Sequence, residues 1–132
     1  MGHMTDAKIC AGRKAVLVVD DNETARWILA EILAGEGYAV CEAGNADEAL
    51  ERLGERPDIR AVITDIEMPG SMDGLEMAAR IRSQSPEIAV LLTSGRHYPT
   101  AGDLPPATKF ILKPWAADEL IRELETVLCL SY

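Results

Sequence analysis

The stretch AVITDIEMPGSMDG, Ala61 to Gly74, decides how the rest of the chain is read. Its opening residues, Ala61-Val62-Ile63-Thr64, are apolar or β-branched and finish a buried strand expected from Ile59 to Thr64. Asp65 follows directly. A carboxylate therefore stands at the carboxyl end of a strand, the edge where open α/β sheets place their reactive groups. Met68-Pro69-Gly70 stops the strand, because Pro has no N–H for a ladder and Gly accepts positive φ. Asp73-Gly74 leads into a helix, with Asp73 as its N-cap. An acid on one strand end says little by itself. It gains meaning from the charged residues on the other strand ends.

On the amino-terminal side, Ala15-Val16-Leu17-Val18-Val19 is a continuous apolar run ended by Asp20-Asp21, the pattern of a strand buried on both faces of a parallel sheet. Asn22 caps a helix whose apolar stripe is Ala25, Ile28, Leu29, Ile32 and Leu33, stopped by Gly35 and Gly37. Tyr38 to Ala43 is a second strand. Ala46, Ala49, Leu50 and Leu53 form a second helical stripe, capped by Asn45 and ended at Pro57. On the carboxyl-terminal side, Leu75, Ala78 and Ile81 mark a third helix, closed before Ser85-Pro86. Ile88 to Leu92 is a fourth strand, followed by Thr93-Ser94-Gly95. Phe110-Ile111-Leu112 is a fifth, ended by Lys113-Pro114. Leu120, Ile121, Leu124, Val127 and Leu128 then give a long amphipathic helix, with Asp118 and Glu119 in its first turn, where the helix dipole favours acids. Between Arg96 and Thr108, Pro99, Gly102, Pro105 and Pro106 predict a loop or a single turn. Alternation of strand and helix throughout predicts an α/β fold with a parallel sheet and helices on both faces.

At 132 residues, 48% hydrophobic and 27% charged, the chain is sized and composed as one globular domain. Residues 15–132 are assigned to it. Residues 1–14 are set aside as an N-terminal extension headed by Met1-Gly2-His3-Met4, which reads as a cloning remnant. A net charge of −9 argues against a nucleic-acid surface. No apolar run reaches the roughly 18 residues of a membrane span. The three cysteines, Cys10, Cys41 and Cys129, have neither metal-ligand nor disulfide spacing, as expected for reduced thiols of a cytoplasmic protein.

The sheet brings the strand ends together: Asp20 and Asp21 after the first, Asp65 after the third, Thr93 and Ser94 after the fourth, Lys113 after the fifth. Clustered carboxylates repel, and an oxygen-rich acidic site suits Mg²⁺. Cation, lysine and hydroxyl together make a holder for a phosphoryl group, and a carboxylate among them can act as nucleophile and form an acyl phosphate. Taken singly, Asp20 and Asp21 read as helix-capping acids, Lys113 as a turn residue and Phe110 as a core aromatic. Trp27 lies off its helix stripe and reads as partly exposed, and His97 reads as a surface residue.

Val18-Val19-Asp20-Asp21, Asp65 with Met68-Pro69 and Met72-Asp73-Gly74, Thr93-Ser94-Gly95, and Phe110 with Lys113-Pro114 occur in the order found in bacterial two-component response regulators. On these residues the chain resembles a receiver domain of that family over nearly all of its length after Lys14. The resemblance implies a flavodoxin-like, doubly wound five-stranded parallel sheet in the order 2-1-3-4-5, here with the fourth helix short or absent. It implies that Asp65 accepts phosphate, that Asp21 binds Mg²⁺ directly and Asp20 mainly through water, and that the backbone carbonyl of Glu67 completes the protein's ligands. Lys113 then pairs with a phosphoryl oxygen, Ser94 is the switch hydroxyl with Thr93 its rival, and Phe110 is the aromatic switch position. The implied partner is a histidine kinase or histidine phosphotransfer protein. The implied activity is a phosphorylation switch that catalyses only its own phosphorylation and dephosphorylation, as a stand-alone receiver or as part of a larger regulator or hybrid kinase. Two other readings are a Mg²⁺-dependent phosphatase or phosphotransferase with an aspartate nucleophile, whose amino-terminal Asp-x-Asp the chain lacks, and a phosphorylation-independent interaction module.

Overall fold

A computed structural model gives the architecture and describes residues 15–68, 70, 72–95, 104 and 108–130. The elements are β1 Ala15–Val19, α1 Glu23–Gly35, β2 Ala39–Ala43, α2 Ala46–Glu55, β3 Ile59–Asp65, α3 Gly74–Gln84, β4 Ala89–Ser94, β5 Thr108–Leu112 and α4 Ala117–Leu130. The strands form one parallel sheet of five in the order β2-β1-β3-β4-β5. The order reverses between β1 and β3, which opens a crevice at their carboxyl ends.

Two cores hold the sheet, one on each face, and this explains the unbroken apolar runs. Val16, Val18, Ile63 and Leu91 face Leu29 and Leu33 of α1 and Leu120, Leu124 and Val127 of α4. Leu17, Val62, Val90 and Leu92 face Ala46 and Ala49 of α2 and Met77, Ala78 and Ile81 of α3. Every residue of β1 and β4 is buried. The parallel register sets Val19 beside Thr64, Asp65 beside Thr93 and Ser94 beside Leu112, so the polar strand ends finish level on one edge.

Local signals act where the sequence placed them. Asn22, Asn45 and Asp73 each cap a helix by accepting a backbone N–H, from Ala25, Glu48 and Glu76 respectively. Gly37, at φ 96°, reverses the chain out of α1 toward β2, a conformation that a Cβ would strain. The stripe of α1 is rotated from its expected place. Leu29, Ala30 and Leu33 are buried, whereas Ile28 is 46% exposed. Apolar spacing alone could not exclude Ile28, because Ala30 fits closer to the sheet.

The expected shortening or absence of the fourth helix is not borne out. Four helices flank the sheet among the described residues. The segment from Arg96 to Ala107, on which that expectation rested, lies outside the described residues except for Leu104. Its Pro and Gly content bears on one connection, whereas the helices seen are fixed by their buried stripes. Thr108, expected in the same loop, opens β5 instead. The N-terminal extension and His97 also lie outside the described residues. No described helix is long and apolar enough to cross a membrane.

Candidate functional site

The carboxyl edge of the sheet gathers Asp20, Asp21 and Asp65, with one carboxylate oxygen from each within 4.8 Å of the others. Asp20 is buried at the end of β1 and held at three points. Its N–H donates to the Ala43 carbonyl at 3.2 Å. Its Oδ1 accepts the Asn22 N–H at 2.9 Å, and its carbonyl accepts Nη1 of Arg26 at 2.9 Å. Asp21, the next residue in the turn, is exposed.

Asp65 ends β3, and its side chain is 12% exposed. Lys113 Nζ reaches it from the end of β5, 3.3 Å from Asp65 Oδ2 and 3.6 Å from Asp20 Oδ2. Lys113 is anchored by its own N–H, which donates to the Ser94 carbonyl at 2.9 Å. Burial pushes the Asp65 carboxyl above the usual carboxylate range; the Lys113 charge opposes this, and Asp20 and, more weakly, Glu67 add to it. Asp65 Oδ1 is buried with no hydrogen-bond partner. An unpaired buried carboxylate oxygen is costly. Among three acids with oxygen donors only, it is the feature that a hard divalent cation would relieve. The residues present therefore fit a metal.

The loop after Asp65 is tied back tightly. Gly74 donates its N–H to the Ile66 carbonyl at 2.9 Å. A Cβ on Gly74 would lie 2.3 Å from the Asp65 carbonyl oxygen and 2.8 Å from Ile66 Cα, so only glycine lets α3 start here. Asp73 and Glu76 form a capping box, each accepting the other's backbone N–H at 2.9 and 3.0 Å. On the neighbouring strand, the buried Ser94 hydroxyl lies 2.8 and 2.6 Å from the two carboxylate oxygens of Glu67.

Residues 16–125 match the response regulator receiver domain family. The chain belongs to that family. This receiver is 32% identical over 118 residues to the response regulator receiver protein CpdR of Brucella abortus, a match covering 87% of this chain and 97% of that protein. It is 33% identical over 122 residues to the DNA-binding transcriptional regulator NtrC of Escherichia coli, of whose length it spans only 24%. The response regulator TrrA of Thermotoga maritima, solved in complex with Mg²⁺-BeF, is 34% identical with a TM-score of 0.76, covering 87% of this chain and 99% of that one. As a receiver, the domain is a module of two-component signalling rather than a metabolic enzyme, and its Asp20, Asp21 and Asp65 cluster is of the kind found at phosphoacceptor sites.

The structure thus brings Asp20, Asp21, Asp65 and Lys113 together as expected. Ser94 and its rival Thr93 are both buried. Thr93 pairs in register with Asp65, and the Ser94 hydroxyl engages Glu67. Phe110 is half-buried and packs against the core that includes Leu92. Trp27 is 58% exposed, more than half of its surface. Two groups escaped the sequence reading. Glu67 entered it only through its carbonyl, yet its carboxylate holds Ser94. Arg26 did not enter it at all, yet its Nη1 donates to the Asp20 carbonyl. A third feature is a groove of about 560 Å³ beside Lys113, lined by Ala25, Ile28, Gly95, Pro114 and Trp115.

Proposed function

We propose that this receiver is a phosphorylation switch that takes a phosphoryl group onto Asp65 from the phosphohistidine of a histidine kinase or phosphotransfer protein, in a Mg²⁺-dependent relay. The observation that supports this most directly is Asp65 itself. It is an acid at the sheet edge with one oxygen on Lys113 and the other buried and unpartnered, beside two further carboxylates.

In this reading Asp20, Asp21, Asp65 and the Glu67 carbonyl hold the cation, which supplies positive charge against the phosphoryl oxygens. The Asp65 carboxylate attacks phosphorus. The bond from phosphorus to the donor's imidazole nitrogen breaks, and its electron pair returns to the ring. Lys113, already 3.3 Å from Asp65, meets charge on the transferred oxygens without having to be recruited. Ser94 supplies a hydroxyl donor from β4, and its movement passes the signal to β5 and Phe110. In hydrolysis water attacks phosphorus, the bond from phosphorus to the Asp65 oxygen breaks, and inorganic phosphate leaves with the carboxylate restored. The free thiols of Cys41 and Cys129 suit the reducing cytoplasm in which such a relay would run.

The test is intact-mass measurement after incubation with acetyl phosphate and Mg²⁺. Wild type is expected to gain one phosphoryl group, and Asp65→Asn or removal of Mg²⁺ is expected to abolish the gain. Equal labelling of Asp65→Asn would move the acceptor elsewhere.

A further inference from the structure

Asp20 projects from a turn whose direction nothing in β1 fixes, because the strand ends one residue earlier. Arg26, one turn into α1, reaches back across that turn. Its Nη1 donates to the Asp20 carbonyl at 2.9 Å and its Nε donates to Glu42 Oε1, at the edge of the sheet, at 3.0 Å. The Arg26 side chain is only 18% exposed, and it passes 3.4 Å from the point where a Cβ on Gly44 would stand. The bound carbonyl belongs to the peptide joining Asp20 to Asp21. Rotation of that peptide would swing both carboxylates relative to Asp65. With the Asp20 N–H on Ala43 and Oδ1 on the Asn22 N–H, the guanidinium closes the remaining freedom and leaves Asp20 Oδ2 facing Lys113.

We infer that Arg26 is a positioning residue for the cation site: a two-pronged strap from α1, braced on Glu42 of β2, that fixes the Asp20–Asp21 peptide so that both acids point at Asp65. The inference rests on the reading of those acids as a metal site. Its physical basis is that groups which orient ligands without touching the metal commonly change affinity by about 10–100-fold. Arg is suited to the task because its planar fork serves two acceptors at fixed angles, which a lysine ammonium does not reproduce.

Charge and geometry make opposite forecasts, and this makes the inference testable. Arg26 brings a positive charge close to the acids, so its loss by charge alone would tighten cation binding. Mg²⁺ titration calorimetry on the full chain, well below the melting transition, is the measurement. Arg26→Gln is expected to weaken Mg²⁺ binding about tenfold. Arg26→Lys, which keeps the charge and the stem and guards against a folding failure, is expected to weaken it less but clearly. Tighter or equal binding in Arg26→Gln, or a lowered melting temperature in both variants with unchanged Mg²⁺ affinity, would overturn the strap and leave the receiver reading standing. A wild type that binds no Mg²⁺ would overturn both.

Discussion

The contact of Gly74 with the end of β3 makes a sharp prediction about stability and about the acceptor. Replacing Gly74 by Ala puts a methyl group 2.3 Å from the Asp65 carbonyl oxygen, 2.8 Å from Ile66 Cα and 3.0 Å from the Asp65 carbonyl carbon. All three are backbone atoms of a buried strand end, so no side-chain rotation relieves the overlap. Overpacking of this kind costs about 1–3 kcal/mol, and with backbone on the receiving side the upper part of that range applies. Ala gains roughly 0.5–1 kcal/mol over Gly as a helix residue, which offsets only part of the loss. The net is a destabilisation of about 2 kcal/mol, or a melting temperature lower by roughly 8 °C for a domain of this size. Gly54→Ala in α2 is the control. Nothing lies within 4 Å of its Cβ, so it should melt at or slightly above wild type. The same displacement should loosen Asp65 from Lys113, now 3.3 Å apart, and slow labelling by acetyl phosphate. Both variants are read by thermal denaturation in chelator-treated buffer and by intact mass. A Gly74→Ala protein that melts within 1–2 °C of wild type, on the order of a few tenths of a kcal/mol, would refute the claim that glycine is required there.

Other perturbations test other parts of the site. The Asp65 carboxyl is raised by burial, so the folded state binds more protons than the unfolded state between the ordinary carboxylate range and that raised value. Metal-free stability should therefore fall as pH rises through this window. Asp65→Asn should melt higher than wild type at neutral pH without metal, with the gap closing in acid, and a gap that widens in acid would contradict the sign. Glu67→Ala removes the acceptor that holds the Ser94 hydroxyl at 2.6–2.8 Å, so beryllofluoride binding should tighten by roughly threefold to tenfold, the equivalent of a net hydrogen-bond contribution of about 1 kcal/mol. In a Ser94→Ala background that gain should shrink, and an undiminished gain would mean that Glu67 acts through its charge alone. Ile28→Glu places a charge in the groove beside Lys113, so transfer from a phosphohistidine protein should slow several-fold while labelling by acetyl phosphate stays within about twofold of wild type. Equal slowing of both reactions would remove the groove from partner contact.

The fold was legible because its signals are local and repeated. Ala15–Val19 and Ala61–Ile63 of β3 are apolar throughout, the pattern of a strand covered on both faces, and both are buried throughout. Asn22, Asn45 and Asp73 announced helix starts by chemistry that needs no tertiary information. Asp20, Asp21, Asp65 and Lys113 were legible for a different reason: parallel strands place their carboxyl ends on one edge, so the convergence follows from topology. What stayed hidden depends on side-chain direction. The spacing of Arg26 on α1 suits a solvated helix face, and its turn back toward Asp20 and Glu42 follows from how α1 docks on the sheet. Glu67 lies in a loop with no period, so its approach to Ser94, 27 residues away, could not be read from either segment. Ile28 was misplaced because a stripe of apolar residues on a helix is wider than the part of it that finds a partner.

The two hidden contacts give the edge an asymmetry that bears on how a switch can work there. On the cation side, Asp20 is fixed through its N–H, its Oδ1 and its carbonyl, by groups from β2, the capping turn and α1. Such a ligand pays its ordering cost during folding and not at each binding event. On the β4 side, the Ser94 hydroxyl has one proton to donate and spends it on Glu67, a half-buried carboxylate in the loop that follows Asp65. A phosphoryl group on Asp65 would compete for that proton with charge of the same sign as the Glu67 carboxylate. Accepting it would release Glu67 and move Ser94 in one exchange, with little net change in the number of hydrogen bonds. A balanced exchange of that kind is what a switch requires, since two states separated by a few kcal/mol can be reversed by a ligand with a modest preference for one of them. In the proposed relay, rigid ligands for the cation and a hydroxyl with two competing acceptors would therefore divide the work: the first would fix where the phosphoryl group sits, and the second would determine what its arrival changes.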